Sequence, residues 1–176
     1  MEWDLTPRKA SDSTVELVQH MTIVDANNAG NVHGGTIMKL VDTAAGLAAA
    51  KHCRGLAVTA NLDEMSFFEP VYINDIVTVK AQVNDVGRTS LEVGVRVEAQ
   101  SVTGDRKVHT SSAYLVYVAL DEDRKPRPVP PLVAETEEER QRQREAKLRR
   151  DARLARKEAI LAARRRKGED IGESGG

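Results

Sequence analysis

One carboxylate stands out in the segment 25–53, which reads DANNAGNVHGGTIMKLVDTAAGLAAAKHC. Asp42 lies within an apolar run of this segment, and a carboxylate buried there without a partner would be costly. We therefore expect Asp42 either to perform chemistry at a site or to accept hydrogen bonds from the neighbouring backbone. The residue types alone leave both interpretations open.

Two glycines, Gly34 and Gly35, stand where a polar loop gives way to that apolar run. A helix that begins near Gly34 presents unpaired backbone N–H groups in its first turn. A ligand can approach this backbone closely because glycine has no side chain. The junction therefore predicts a binding site for an oxyanion or a polarised carbonyl group.

The apolar run has the period of a helix. Its apolar residues recur at positions 37, 40, 41, 44, 47 and 48 with no proline between them, and Gly55 is expected to end the helix. Alanine is so frequent on this helix that it should be narrow on several sides. Such a helix can lie close against a sheet that wraps around it.

The remainder of the first 120 residues has the pattern of β-strands. One imperfect strand is predicted at 14–22 and four long strands at 57–67, 75–86, 89–102 and 107–120. Tight turns at Gly87-Arg88 and at 103–105 predict an antiparallel meander. One apolar helix and five strands pack most economically as an α+β fold in which the antiparallel sheet curls around the helix. The exposed edges of that sheet predict pairing with a second copy, at least as a dimer.

Composition divides the chain into five parts. We predict a loose lead-in at 1–12, the main domain at 13–122, a proline-rich strap at 123–134, a charged helix at 135–167 and a disordered tail at 168–176. Thr136 and Glu139 form a plausible capping box at the start of the charged helix. The helix carries a thin apolar stripe, which predicts that it is weakly packed and largely solvated. Residues 1–134 have a net charge of −4, whereas 135–167 have +6.

The composition also excludes several classes of protein. The 176 residues are 40% hydrophobic and 30% charged, which is typical of a globular protein. No apolar run reaches the ~18 residues of a membrane span, and the N-terminus lacks a signal-peptide core, so we expect a cytoplasmic protein without membrane contact. The single cysteine, Cys53, excludes an intramolecular disulfide. Cys53 and His52 form neither a metal site nor a nucleophilic pair, because adjacent side chains diverge on a helix.

The segment 25–53 closely resembles the motif of the hotdog-fold acyl-CoA thioesterases, in particular the acyl-CoA hydrolase subfamily that includes the cytosolic brain-type enzymes. The segments SFFEPVYINDIVTVKAQV and AYLVYVALDEDRKPRPVPPLVAETEEER are similar to that subfamily as well. The resemblance covers about residues 14–150. It implies an antiparallel sheet wrapped around one helix, in agreement with the pattern of the sequence.

The resemblance also implies a site and a reaction. An asparagine in the loop and an acidic residue in the helix work together from two protomers, and these correspond to Asn27 and Asp42. The brain-type enzymes join two hotdog repeats, whereas this chain has one repeat that carries both residues. We therefore expect a homodimer with two composite sites, assembled as a trimer of dimers, that hydrolyses fatty acyl-CoA to fatty acid and CoA. No metal and no cofactor is implied, since CoA enters only as part of the substrate.

Roles for individual residues follow from the same resemblance. Asp42 is expected to be a general base on water or a nucleophile that forms a mixed anhydride, and Asn27 to orient the water or the carbonyl. Backbone N–H groups around Gly34 and Gly35 would stabilise the oxyanion. His33 is expected to shape the loop and not to transfer a proton.

Further candidates lie on the predicted strands. Thr59 either bonds to Asp42 across the dimer or is an ordinary strand residue. Arg88, with Thr89 and Ser90 in the hairpin turn, either grips CoA phosphates through its forked donors or is simply solvated.

Two rival functions deserve comparison. One is a non-catalytic acyl-CoA-sensing hotdog protein whose basic tail binds nucleic acid. Acidic residues are interleaved with the basic ones in 135–167 and aromatic residues are absent there, which makes nucleic acid binding the weaker interpretation. The presence of Asp42 also speaks against this rival, because a sensor needs no general base. The other rival is a hydroxyacyl-thioester dehydratase, for which His33 is the one residue near the loop that could serve.

Overall fold

The computed structural model describes residues 3–166 of the chain. The tail that we predict to be disordered, 168–176, lies outside the described residues. Within them the chain forms, in order, β1 (Arg8–Lys9), β2 (Val15–His20), α1 (Gly34–Cys53), β3 (Ala57–Phe67), β4 (Asp75–Val86), β5 (Ser90–Ser101), β6 (Lys107–Ala119), β7 (Leu132–Val133) and α2 (Glu137–Arg166).

Strands β2 to β6 form one antiparallel sheet in the order β2-β4-β5-β6-β3. Alternate residues of the central strands point to the same face, and pairs such as Val79 and Val97 face each other in register. These valines are almost completely buried. The sheet therefore has one apolar face, which lies towards α1.

Helix α1 lies against that face. Its buried residues are mainly small, and they occupy one side of the helix: Ile37, Val41, Ala44, Ala45, Ala48 and Ala49. All of the long strands β2 to β6 contact the helix. The predicted α+β fold, with an antiparallel sheet wrapped around one long helix, is confirmed.

The end of α1 differs from the prediction. Arg54, and not Gly55, adopts the left-handed conformation, with φ of +47°. Gly55 is needed for a different reason, because a Cβ atom there would lie 2.6 Å from Nη2 of Arg127. That guanidinium donates a hydrogen bond of 2.8 Å to the carbonyl oxygen of Cys53, so it closes the helix C-terminus.

The segments before and after the sheet meet each other. Strand β1, which falls in the part predicted as a loose lead-in, pairs in parallel with β7 in the proline-rich strap. Ser13 in the turn after β1 is fully buried, and its hydroxyl accepts a hydrogen bond from the Val83 backbone. Both terminal segments are thereby tied to the sheet.

Helix α2 begins with the predicted capping box between Thr136 and Glu139. The prediction that α2 is largely solvated fits only part of it. Arg149 donates to buried Glu92 on β5 at 2.7 Å, and Arg153 bonds to Asp63 on β3. The first half of α2 thus crosses the outer face of the sheet towards β3, held mainly by charged side chains.

No helix within residues 3–166 is long and apolar enough to cross a membrane.

His52, in the last turn of α1, has a deeply buried imidazole ring. It is 2% exposed, and its Nε2 donates a hydrogen bond of 2.9 Å to the carbonyl oxygen of Pro130 in the strap. Its Nδ1 has no partner within the described part of the chain. Burial lowers the pKa of His52 below its usual value.

We expect the protein to lose stability as the pH falls from 7.5 to 5.5. The pKa of His52 is lower in the folded than in the unfolded state, so the unfolded state binds the proton more readily below about pH 6.5. The contribution of neutral His52 to the free energy of unfolding is fully present above that pH and is lost as the pH falls. Between pH 7.5 and 5.5 the urea midpoint should fall less in His52→Gln than in wild type. His20→Gln, in which an exposed histidine is replaced, should show the same fall as wild type. An unchanged pH dependence in His52→Gln would refute this account.

Candidate active site

The Asp42 carboxylate accepts two side-chain hydrogen bonds. Oδ1 receives the Thr59 hydroxyl from β3 at 2.7 Å and the Tyr117 hydroxyl from β6 at 2.8 Å. Of the two interpretations left open above, satisfaction by neighbouring backbone is therefore not what the structure shows. Both bonds are made within one chain, so Thr59 does not need a second protomer to reach Asp42.

Asp42 is solvent-exposed in the single chain, although its neighbours are apolar. It lines a cavity of about 390 Å³ whose other walls are mostly the side chains of Met38, Val41, Leu62, Met65 and Leu115. Lys39 is the other charged residue of this lining. A carboxylate at the wall of an apolar cavity is well placed to meet a substrate with an apolar chain.

Tyr117 is a candidate site residue that the sequence patterns did not single out. The residue is 2% exposed, and its hydroxyl also lies 2.9 Å from the carbonyl oxygen of Asp42. Burial raises the pKa of Tyr117, so the hydroxyl remains protonated and acts as a donor. The available signal was the period of two in β6, which places Tyr117 on the same apolar face as Ala113 and Leu115. A hydroxyl on that face requires a buried partner.

Asn27 organises the loop before α1. Its Oδ1 accepts hydrogen bonds from the backbone N–H of Ala29 at 2.8 Å and of Asn31 at 3.3 Å. Gly30, with φ of +86°, makes the tight turn possible. The side-chain oxygen of Asn27 is thus committed to the loop, while its amide nitrogen has no bond to any residue in 3–166 and remains available to a ligand.

His33 caps α1, in agreement with the expectation that it shapes the loop. Its Nδ1 accepts a hydrogen bond of 2.8 Å from the N–H of Gly35. A Cβ atom on Gly35 would lie 2.8 Å from the same Nδ1, so this position needs glycine. Because the Gly35 amide is already bonded, Gly34 supplies the amide that is still open to an oxyanion.

Asn27 and Asp42 line different cavities of the single chain. Asn27 and Gly34 line a cavity of about 370 Å³ together with Phe67 and Phe68, whereas Asp42 lines the cavity described above. Eight residues separate Gly34 from Asp42, or about 12 Å along the helix axis. One chain therefore does not bring these predicted partners together.

Arg88 and Thr89 lie in the turn between β4 and β5, and Ser90 is the first residue of β5. The side chain of Arg88 is exposed and makes no hydrogen bond to the described residues, while the carbonyl oxygens of all three bond to other backbone groups. Leu91 pairs with Tyr117 across the sheet, so the turn lies at the same end of the sheet as the Asp42 network.

No cluster of three or more His, Cys, Asp or Glu side chains suited to a metal occurs in the described range 3–166.

The sequence matches a family and several relatives. A family model of the thioesterase superfamily matches residues 29–104. An uncharacterized acyl-CoA thioester hydrolase of Bacillus subtilis is 39% identical over 133 residues, which cover 75% of this chain and 77% of the relative. The cytosolic acyl coenzyme A thioester hydrolase of Mus musculus is 36% identical over 143 residues, or 80% of this chain. The chain spans 38% of the length of that mouse protein.

Solved structures are similar over nearly their whole length. The acyl-CoA hydrolase of Staphylococcus aureus, in complex with butyryl coenzyme A, coenzyme A and coenzyme A disulfide, has a TM-score of 0.83 at 28% identity, covering 92% of this chain and 99% of that chain. An apo-hexameric acyl-CoA thioesterase has a TM-score of 0.82 at 32% identity, covering 86% and 97%. The Staphylococcus aureus enzyme has also been solved with an aspartate, an asparagine or a threonine replaced by alanine.

Replacement of His33 tests its role as a helix cap. We expect His33→Ala to lower the free energy of unfolding by about 1 kcal/mol, because the Gly35 N–H loses its acceptor. His33→Asn should restore most of this loss, since asparagine is a good N-cap. Urea titrations of the three proteins measure the effect. Equal stability of His33→Ala and wild type would contradict the capping role.

Proposed function

The chain belongs to the acyl-CoA thioester hydrolases of the thioesterase superfamily, and on this basis we propose that it hydrolyses fatty acyl-CoA to free fatty acid and CoA. The observation that carries the proposal is the Asp42 carboxylate, held by Thr59 and Tyr117 at the wall of an apolar cavity. The cavity suits an acyl chain, and the carboxylate suits the activation of water. The proposal includes no metal and no cofactor, since CoA is part of the substrate.

In the proposed reaction, Asp42 removes a proton from a water molecule, which attacks the thioester carbonyl. The amide nitrogen of Asn27 orients the water or the carbonyl oxygen. The N–H of Gly34 donates to the developing oxyanion, and loss of one such donor typically costs about 10² to 10³ in rate. Collapse of the intermediate releases CoA as a thiolate, which takes up a proton. Attack by Asp42 itself, with a mixed anhydride as intermediate, is the alternative route.

A neighbouring structure gives further support for these residues. In the Staphylococcus aureus hydrolase, the residues replaced by alanine are an aspartate, an asparagine and a threonine whose numbers are each one higher than those of Asp42, Asn27 and Thr59 here. The three residue types therefore occur in the same order and at the same spacing in both chains.

The active form is proposed to be a dimer of hotdog units. Asn27 and Asp42 lie in separate cavities of one chain, so a second copy is needed to place one beside the other. Strand β3 lies at the edge of the sheet, and large apolar side chains near it, Met38, Leu62 and Phe67, are exposed. Similar thioesterases are hexameric, which supports a trimer of such dimers.

CoA is proposed to extend from Asp42 towards the turn after β4. Arg88 presents an exposed guanidinium at that end of the sheet, and a forked pair of donors suits a phosphate. Thr89 and Ser90 would contribute hydroxyl groups. We also propose that this chain is cytosolic, because the name of the mouse relative describes that protein as cytosolic.

Nothing in the described residues favours the sensor with a nucleic-acid-binding tail. Arg142, Arg149 and Arg153 of α2 bond to polar or acidic side chains of their own sheet. The guanidinium groups of these arginines are therefore already bonded within the chain, which makes them less available to the phosphates of a nucleic acid.

The first test is thiol release from acyl-CoA substrates of increasing chain length. Wild type should turn over at least one substrate, and Asp42→Ala should lower kcat by about 10² to 10⁴, the range for loss of a general base. Asn27→Ala should also be strongly impaired, whereas Asn28→Ala, in the same loop and exposed, should retain activity. Tight CoA binding without turnover of any substrate would favour the sensor.

Mixing two inactive variants tests whether each site is shared between protomers. In randomly exchanged dimers of Asp42→Ala and Asn27→Ala, half of the dimers are mixed and each mixed dimer has one intact site. Activity should therefore return to about a quarter of the wild-type value. The separate variants, refolded alone, are the controls. No recovery despite verified subunit exchange would rule out the shared site.

A further inference from the structure

We propose that Tyr117 is a positioning residue for the thioesterase reaction, and that it holds the Asp42 carboxylate oriented towards the substrate cavity. This inference rests on the proposed function, because it assigns a role to the contact with Asp42. It adds a residue on β6 to a site otherwise built from α1, the loop before it and β3.

The register of the sheet brings two hydroxyl groups to one carboxylate oxygen. Thr59 on β3 and Tyr117 on β6 are directly paired, and both donate to Oδ1 of Asp42, at 2.7 and 2.8 Å. The other oxygen, Oδ2, accepts no hydrogen bond from the described residues. Two donors on Oδ1 therefore fix the carboxylate and leave Oδ2 for the proton of water.

The Tyr117 ring is held in place by packing. Its side chain is 2% exposed, and a Cβ atom on Gly46, one turn after Asp42, would lie 3.6 Å from its Cε1. The single hydroxyl proton is shared between Oδ1 and the Asp42 carbonyl oxygen, which lie 2.8 and 2.9 Å away. The hydroxyl thus connects the catalytic side chain to the backbone of α1.

The charge of the surroundings makes this donor important. Among the described residues that line the Asp42 cavity, Lys39 on α1 is the other charged group, and the contributions from β3 and β6 are Thr59, Leu62, Met65 and Leu115. Lys39 makes no hydrogen bond or ion pair with Asp42, so Thr59 and Tyr117 are the side-chain donors to this carboxylate within residues 3–166. Removal of the Tyr117 hydroxyl should therefore leave Thr59 alone to orient the carboxylate.

The test compares Tyr117→Phe with Tyr114→Phe, which removes a hydroxyl from the opposite face of the same strand. The Tyr114 ring lies under the guanidinium of Arg149, and its hydroxyl has no hydrogen bond to the described residues. Tyr117→Phe should lower kcat roughly ten- to hundredfold with KM changed less than about twofold, as expected for loss of one hydrogen bond to a charged group. Tyr114→Phe should match wild type in both quantities.

The controls separate this inference from the proposed function and from misfolding. If Asp42→Ala is inactive but Tyr117→Phe has the kcat of wild type, the inference is wrong and the proposed function stands. If Asp42→Ala is fully active, the proposed function fails. A lower urea midpoint with an unchanged kcat per folded enzyme would mean that Tyr117 is only structural, which also overturns the inference. Thr59→Val combined with Tyr117→Phe should lower kcat further than either change alone.

Discussion

Close packing between α1 and the apolar face of the sheet determines where each candidate site residue lies. Alanines such as Ala44 and Ala48 are fully buried in this contact, so the helix backbone approaches the strands closely. At that separation, hydroxyl groups on β3 and β6 reach the Asp42 carboxylate directly. Larger side chains at the alanine positions would hold the helix away from the strands and separate Asp42 from both donors.

Both ends of α1 are fixed by side-chain hydrogen bonds, and those at the C-terminus tie the helix to the proline-rich strap. His33 binds the Gly35 amide at the N-terminus, while Arg127 binds the Cys53 carbonyl and His52 binds Pro130 at the C-terminus. The proline-rich strap is thereby fastened to the end of the helix that lies away from the loop of Asn27. The cap at the N-terminus also takes up the Gly35 amide.

Helix α2 covers the other face of the sheet in a different way. Its contacts are charged, and the Arg149–Glu92 pair lies over the strands whose inner face packs against α1. Arg153 reaches Asp63 on β3, the edge strand that carries Thr59. Breaking these pairs would leave the carboxylates of Glu92 and Asp63 with an asparagine amide as donor but without a cation, which is costly, so α2 stabilises the strand from which part of the site is built.

The sequence alone determined the helix, the long strands, the charged C-terminal helix and the α+β class, because local periodicity encodes each element. It also singled out Asp42 by its residue type, and Asn27 by resemblance to a family. Only the tertiary structure decided that Tyr117 bonds to Asp42, that Thr59 does so within one chain, and that the Gly35 amide is taken. Tyr117 and Asp42 are 75 residues apart. Local periodicity carries no information on which side chains meet across such a distance, since strand order and register decide it.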